Sequence, residues 1–156
     1  MSEPTATPPL PTGPPAALSA WTALFTGLDR EGVPSAAHLA AIATEDVRFR
    51  DPFNDLRGIE PLRRLLAHTR ERLPGARFEV LDSAWSALNA YLKWRMTARV
   101  RVIGDWRVES MSEVRFVPDG RVADHQDHWD AAAQSYGRLP LVGPLLRWLG
   151  RPARVV

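Results

Sequence analysis

A histidine and an aspartate lie two residues apart near the end of the chain, in a stretch that the sequence predicts to be a β-strand. His125, Asp127 and Trp129 occupy alternate positions there, and alternate residues of a strand point to the same face. A carboxylate beside an imidazole fixes its tautomer and raises its basicity, an arrangement typical of general acid/base catalysis. The alternative is a polar pair packed under helices, or exposed if the strand register shifts by one residue.

Asp51 is a second candidate for proton transfer. It follows Val47 and Phe49 at two-residue spacing at the end of a predicted strand, 46–51, so its carboxylate is expected among apolar side chains. Desolvation disfavours the charged form of a carboxyl group, which suits a general base. The structural alternative is an aspartate that ends a strand before Pro52 and accepts backbone N–H groups.

Metal and cofactor chemistry are not expected. The acidic and histidine side chains of residues 124–130 are of metal-ligating types, but strand alternation divides them between two faces, so at most two could converge. The chain has no cysteine, which excludes disulfides, thiolate metal sites and cysteine nucleophiles.

The overall composition predicts one globular domain. The chain has 156 residues, of which 45% are hydrophobic and 24% charged. Its net charge of +2 and the absence of a run of like charges argue against nucleic-acid binding. The sequence lacks an apolar run of about 18 residues and an N-terminal signal pattern, so we expect a cytoplasmic protein.

Three segments are expected along the chain. Residues 1–15 contain six of the fourteen prolines and predict a disordered tail. Residues 16–138 form the predicted domain. Residues 139–156 are rich in leucine and tryptophan, so we expect them to pack on the domain or on a partner; a membrane-surface segment is the alternative reading.

The predicted elements are three helices followed by strands. Helical spacing of apolar residues begins near Ala16, a second helix covers 36–43 with Ser35 as its N-cap, and a third follows Gly58 with Pro61 in its first turn. Residues 30–32 are expected to connect the first two helices, and a loop with Asn54, Asp55 and Gly58 is expected to lead into the third. Two-residue alternation with short turns between segments predicts a four-stranded antiparallel meander with strands at 76–85, 88–102, 106–117 and 121–130.

Alternation within the long strand separates an apolar row from a polar one. We expect Trp94 and Met96 to border a pocket, and the row from Tyr91 to Arg101 to lie on an outer face opposite Glu109 and Glu113. Long antiparallel strands coil, and their apolar face needs cover from amphipathic helices. The sequence therefore predicts an α+β fold in which a curved antiparallel sheet wraps around a pocket, with three N-terminal helices over it.

Four segments carry a resemblance to a known family: 47–52, 56–62, 113–122 and 125–130. Over residues 16–130 the chain resembles the nuclear-transport-factor-2-like superfamily, specifically its SnoaL-like and ketosteroid-isomerase-like branch. By this resemblance Asp51 falls on the position of the catalytic base of ketosteroid isomerases, an enzyme class with known carboxylate roles. Ser112 falls where those enzymes carry an oxyanion-binding aspartate, and Trp21 and Phe25 stand on the first helix, where they carry a tyrosine. Steroid isomerisation itself is therefore not expected.

Two functions remain open from the sequence. The first is a small-molecule isomerase or lyase that uses Asp51, His125 and Asp127 for proton transfer without a cofactor. The second is a non-catalytic ligand-binding or dimeric assembly module. Either way the expected ligand is a small apolar molecule, and analogy with the family implies a homodimer. The residues expected to line the pocket are Trp21, Phe25, Phe49, Trp94, Met96, Ser112 and Trp129.

Overall fold

The computed structural model describes residues 14–101, 104–139 and 142–149. Within these ranges the helices are α1 (Pro14–Thr26), α2 (Leu28–Glu31), α3 (Ala36–Ile42), α4 (Ile59–Arg72), α5 (Ala131–Gln134) and α6 (Val142–Leu149), and a 3₁₀ turn covers Tyr136–Arg138. The strands are β1 (Ala43–Arg50), β2 (Asp55–Arg57), β3 (Arg77–Ser86), β4 (Asn89–Val100), β5 (Gly104–Phe116) and β6 (Val122–His128). The expected disordered tail falls mainly on residues 1–13, outside the described residues, while α1 already begins at Pro14.

All six strands form one sheet in the order β2-β1-β6-β5-β4-β3. The predicted antiparallel meander is confirmed, with Met96 opposite Val108 and Val114 opposite His125. The sequence did not predict that β1 runs parallel to β6. That pairing brings Phe49 beside His125 and so joins the first strand to the last.

Two local predictions were wrong. The stretch between Asn54 and Gly58 was predicted to be a loop, but it contains β2, which pairs antiparallel with β1. Arg48 holds it with two hydrogen bonds to the Asp55 carboxylate, of 2.8 and 2.6 Å, and these lower the pKa of Asp55. Residues 30–32, predicted as a connector, contain the end of the one-turn helix α2. Both elements are too short to produce a periodic apolar pattern.

The predicted starts of α3 and α4 are confirmed. Ser35 accepts a hydrogen bond from the His38 backbone N–H at 3.1 Å and caps α3. Gly58 precedes α4 with φ of +95°, a backbone region that favours glycine, and its N–H donates to the Val47 carbonyl at 2.8 Å. This bond ties the start of α4 to β1.

The core lies between the helices and the inner face of the sheet. Trp21, Leu39, Leu62 and Val114 are almost completely buried there, and burial of a leucine or valine side chain typically contributes about 1.5–3 kcal/mol. The opposite face, which we call the outer face, carries the predicted polar row. Arg95 on that face lies 3.0 Å from Glu109 across the β4–β5 pair, as expected.

The segment after β6 covers part of the β5 edge. β6 ends at His128, opposite Met111, so among the described residues the backbone of β5 before that point has no strand partner on this side. The Gln134 side chain supplies one, because it accepts from the Glu109 N–H at 2.7 Å and donates to the Glu109 carbonyl at 3.0 Å. The Trp106 indole N–H donates to the Gln134 carbonyl at 2.6 Å.

Only part of the apolar C-terminal segment is described. α6 contains Trp148, whose side chain is 61% exposed, and residues 140, 141 and 150–156 lie outside the described residues. Packing of residues 139–156 on the domain or on a partner therefore stays a prediction. None of the helices in the described ranges has the length and apolarity to cross a membrane.

Candidate active site

A cavity of about 470 Å³ lies between α1, α4 and the inner face of the sheet. Its wall is rich in aromatic residues: the chain has six tryptophans and five phenylalanines, and eight of these eleven residues line the cavity. They are Trp21, Phe25, Phe49, Phe53, Phe78, Trp94, Trp106 and Trp129. Polar side chains that reach this wall are therefore surrounded by apolar surface.

The strongest polar feature of the wall is the pair formed by His125 and Asp127 on β6. Nε2 of His125 lies 2.7 Å from Oδ1 of Asp127, and the Trp21 indole N–H donates to Nδ1 of His125 at 2.9 Å. An indole N–H can only donate, so Nδ1 must be the acceptor nitrogen of the ring. The ring proton is then on Nε2 and donates to Asp127, which assigns a neutral imidazole in one tautomer.

A second arm reaches the same carboxylate oxygen from β4 and β5. The Trp94 indole N–H donates to the Ser112 hydroxyl at 2.5 Å, and that hydroxyl donates to Oδ1 of Asp127. Since the indole is again a pure donor, the direction of both bonds follows from chemistry alone. Asp127 thus receives two hydrogen bonds at Oδ1, whereas its Oδ2 accepts none from the described residues.

His125 is held on its faces as well as at its edges. Its ring stacks on Phe49 with centroids 4.8 Å apart and an angle of 12° between the planes, and it also packs against Phe25. The side chain is 5% exposed and that of Asp127 is 11% exposed. The imidazole therefore has little freedom to rotate, and it holds the carboxylate in one orientation.

Asp51 lies on the same cavity wall, but its carboxylate closes the turn between β1 and β2. Oδ1 accepts from the backbone N–H groups of Phe53 and Asn54 at 2.7 and 2.8 Å, and both oxygens accept from the Asn54 side-chain amide. This is the structural role that the sequence offered as the alternative to catalysis. The turn places Phe53 at the cavity.

The other expected pocket residues can be placed individually. Trp21, Phe25, Phe49, Trp94, Met96 and Trp129 lie on the wall. Ser112 does not reach it: the residue is 1% exposed and is hydrogen-bonded to Asp127.

Sequence reasoning missed several wall residues. Trp106 lies two residues before Val108 on β5, so both side chains point to the same face, and strand alternation could have identified Trp106 as a wall residue. Phe53 is on a turn and carries no periodic signal. His68 and Arg72, one turn apart on α4, reach the cavity rim with exposed side chains. Across residues 14–101, 104–139 and 142–149, no cluster of three or more histidine and acidic side chains could hold a metal ion.

The fold and this wall define a nuclear-transport-factor-2-like α+β protein: helices cover a curved, unclosed six-stranded sheet around a cavity. Residues 21–125, well over half of the chain, match the family model described as SnoaL-like domain. The protein belongs to that family. Among curated proteins, none matches the chain.

Solved structures agree on the fold. A hypothetical protein with a ketosteroid isomerase-like fold from Catenulispora acidiphila, in complex with trimethylamine, superposes with a TM-score of 0.65 at 16% identity, covering 82% of this chain and 96% of that chain. An epoxide hydrolase of the LEH-like type from M. tuberculosis gives 0.61 at 16% identity, covering 86% and 91%. An NTF2-like protein of unknown function from Burkholderia pseudomallei gives 0.62 at 18% identity, covering 75% and 92%. At such identities the likeness concerns the fold alone.

Proposed function

We propose that the cavity is the active site of a cofactor-independent isomerase or lyase, in which Asp127 removes a proton from a carbon atom of a small molecule. One observation carries the proposal: Oδ1 of Asp127 is held by His125 and Ser112, while Oδ2 accepts no hydrogen bond from the described residues, and Asp127 lies on a cavity wall rich in aromatic residues. A carboxylate held this way is positioned for proton transfer, and apolar surroundings limit the water that competes with substrate.

His125 and Ser112 act as positioning residues in this proposal. Both donate to Oδ1, so they orient the carboxylate and stabilise its charge. His125 is not the proton carrier, because Trp21 occupies its only lone pair and Asp127 receives its only ring proton. The indole of Trp21 thus keeps the imidazole aligned.

The reaction class follows from what happens after proton removal. The proton moves to Oδ2, and the electron pair of the C–H bond forms a new C=C bond while the π pair of the adjacent C=O moves onto its oxygen, which gives an enolate. When the enolate electrons return, Oδ2 delivers the proton to another carbon to give an isomer, or a group on the carbon next to the deprotonated one leaves with its bonding pair to give an elimination product. Both outcomes begin with the same transfer to Asp127, so the transfer itself is the step to test.

The test is hydrogen exchange at carbon. The protein is incubated in D₂O with a panel of cyclic ketones and 1,3-dicarbonyl compounds, and deuterium incorporation is followed by mass spectrometry. We expect Asp127→Asn to reduce the enzyme-dependent exchange rate by about 10²–10⁴-fold, the usual range for loss of a general base. Glu113→Gln is the control, because it removes an equal charge on β5 away from the cavity wall. Equal rates in the wild type and Asp127→Asn would contradict the proposal.

Asp51 takes a secondary place in this proposal. Its oxygens are engaged by the turn, so we expect Asp51→Asn to lower stability and to reduce exchange less than Asp127→Asn does. The reverse order of the two variants would make Asp51 the proton acceptor.

A non-catalytic ligand-binding role is the second candidate. It is supported by the hydrogen-bond chain from Trp21 to Trp94, in which His125, Ser112 and Oδ1 of Asp127 already have partners. A purely binding cavity would take up panel compounds without exchanging their protons. The same incubation therefore separates the two functions when it is combined with a binding measurement.

A further inference from the structure

The charge of Asp127 is not balanced by a cation of the cavity wall. Its side chain is only 11% exposed, yet its described partners are the neutral His125 imidazole and the Ser112 hydroxyl. Buried carboxylates are usually paired with a positive charge. Among residues whose contacts the structure describes, no arginine or lysine forms an ion pair with Asp127.

The other charged groups on the wall do not correct this imbalance. Asp51 adds a carboxylate, whereas Glu79 adds none to the buried part, because its side chain is 63% exposed and lies 3.5 Å from Arg95 on the outer face. Arg72 is the cationic residue on the lining, and it is exposed at the end of α4, where water and salt screen its charge. The buried part of the cavity is therefore negative.

Rings of the cavity wall would also stabilise a cation. Trp94, whose N–H group belongs to the hydrogen-bond chain, and Trp106 and Trp129 lie on the wall and are only half-buried. Aromatic faces attract ammonium groups, and the attraction grows when water is excluded. A carboxylate within an aromatic wall is the arrangement that recognises an alkylated amine.

We propose that the natural ligand of the cavity is an organic cation, a protonated or quaternary amine whose nitrogen lies near Asp127. The inference extends the proposed function, since it names the substrate class of the same site. A positive nitrogen next to the reacting carbon would make the C–H proton easier to remove and would supply the charge that the wall lacks. A volume of about 470 Å³ limits the ligand to a small molecule.

The experiment compares two ligands of the same shape. Choline carries a trimethylammonium group, and 3,3-dimethylbutan-1-ol carries a neutral tert-butyl group in its place. Binding to the full-length protein is followed by protein-observed NMR titration at fixed salt. We expect choline to bind about tenfold more tightly, within the range of a desolvated cation on aromatic rings and a carboxylate. Asp127→Asn should reduce this preference, while Glu113→Gln should leave it unchanged.

Several results would overturn the inference. They are equal affinities of the wild-type protein for the two ligands, no binding of either, or a preference for choline that Asp127→Asn leaves undiminished. The comparison of the two ligands uses the wild-type protein alone, so it does not depend on whether a variant folds. Proton exchange on neutral ketones without cation preference would leave the proposed function standing and reject the cationic ligand. A preference for the cation without proton exchange on any compound would support the cationic ligand and reject the proposed catalytic function.

Discussion

Ser112→Ala is the most direct test of the hydrogen-bond chain on which the site depends. Ser112 is 1% exposed and lies between the Trp94 indole and Oδ1 of Asp127. The substitution removes one oxygen, so it leaves almost no cavity. It deprives the carboxylate of one donor and the indole of its acceptor, and any loss of stability reports on those two bonds.

The expected magnitude follows from the charge of the acceptor. A hydrogen bond to a charged group contributes about 1.5–3 kcal/mol, and an unsatisfied buried donor costs about 1 kcal/mol or more. Trp94 is half-buried on the cavity wall, where water can replace the lost acceptor, so its share is small. We expect Ser112→Ala to lower the free energy of unfolding by about 2–4 kcal/mol.

Urea denaturation followed by circular dichroism measures this loss, and Ser110→Ala is the matched control. Ser110 is 4% exposed on the same face of β5, but its hydroxyl donates only to the neighbouring Met111 carbonyl. We expect that control to cost below about 1 kcal/mol.

A double-mutant cycle tests whether the loss belongs to the pair. In the Asp127→Asn background, Ser112→Ala should cost less than in the wild type, with a coupling energy of about 1–2 kcal/mol. Equal costs for the two serine variants, or additive effects in the cycle, would refute a chain that converges on Asp127.

Three further predictions concern the frame around the site. The Arg48 hydrogen bonds hold the pKa of Asp55 below its ordinary value, so they stabilise the folded state at neutral pH. This contribution is lost as the pH falls through the folded-state pKa of Asp55. We therefore expect Asp55→Asn to lower the Tm at pH 7 and to have no effect on the Tm in acid. Gln134→Ala removes the side chain that hydrogen-bonds both the N–H and the carbonyl of Glu109, so it should lower the free energy of unfolding in urea by about 1–3 kcal/mol. A change near zero would contradict the inference that Gln134 on α5 stabilises the edge of β5. We propose that the protein forms a homodimer through the outer face, where Met111 is 49% exposed. Light scattering should then show a dimer for the wild type and a monomer for Met111→Asp. A monomeric wild type would contradict the proposed homodimer.

The periodic parts of the fold were predictable from the sequence because they obey local rules. Alternation over β4 separated the inward row with Leu92 and Met96 from the outward row with Arg95, and the structure buries the first row. The same rule places His125 and Asp127 on one face of β6 whatever the rest of the chain does. Ser35 could be identified as an N-cap because its partner is three residues away.

Elements without a period were not predictable. β2 has three residues, and an ion pair and the neighbouring strand hold it rather than its own propensity. The parallel pairing of β1 with β6 joins segments separated by α4 and the first three strands of the meander, and nothing local to either strand indicates it. The turn role of Asp51 is an intermediate case, because its partner Asn54 is close in sequence but the choice between turn and cavity required the folded turn.

The amino-acid sequence by itself determined that an imidazole and a carboxylate share a strand face within a SnoaL-like fold. Only the tertiary structure decided what the pair can do. The indole that orients His125 is 104 residues away on α1, and the hydroxyl that orients Asp127 is on β5, so each depends on helix docking and strand register. Hydrogen-bond direction and a free carboxylate oxygen arise only when these distant donors meet, because they are properties of an assembled set of groups and not of any one segment.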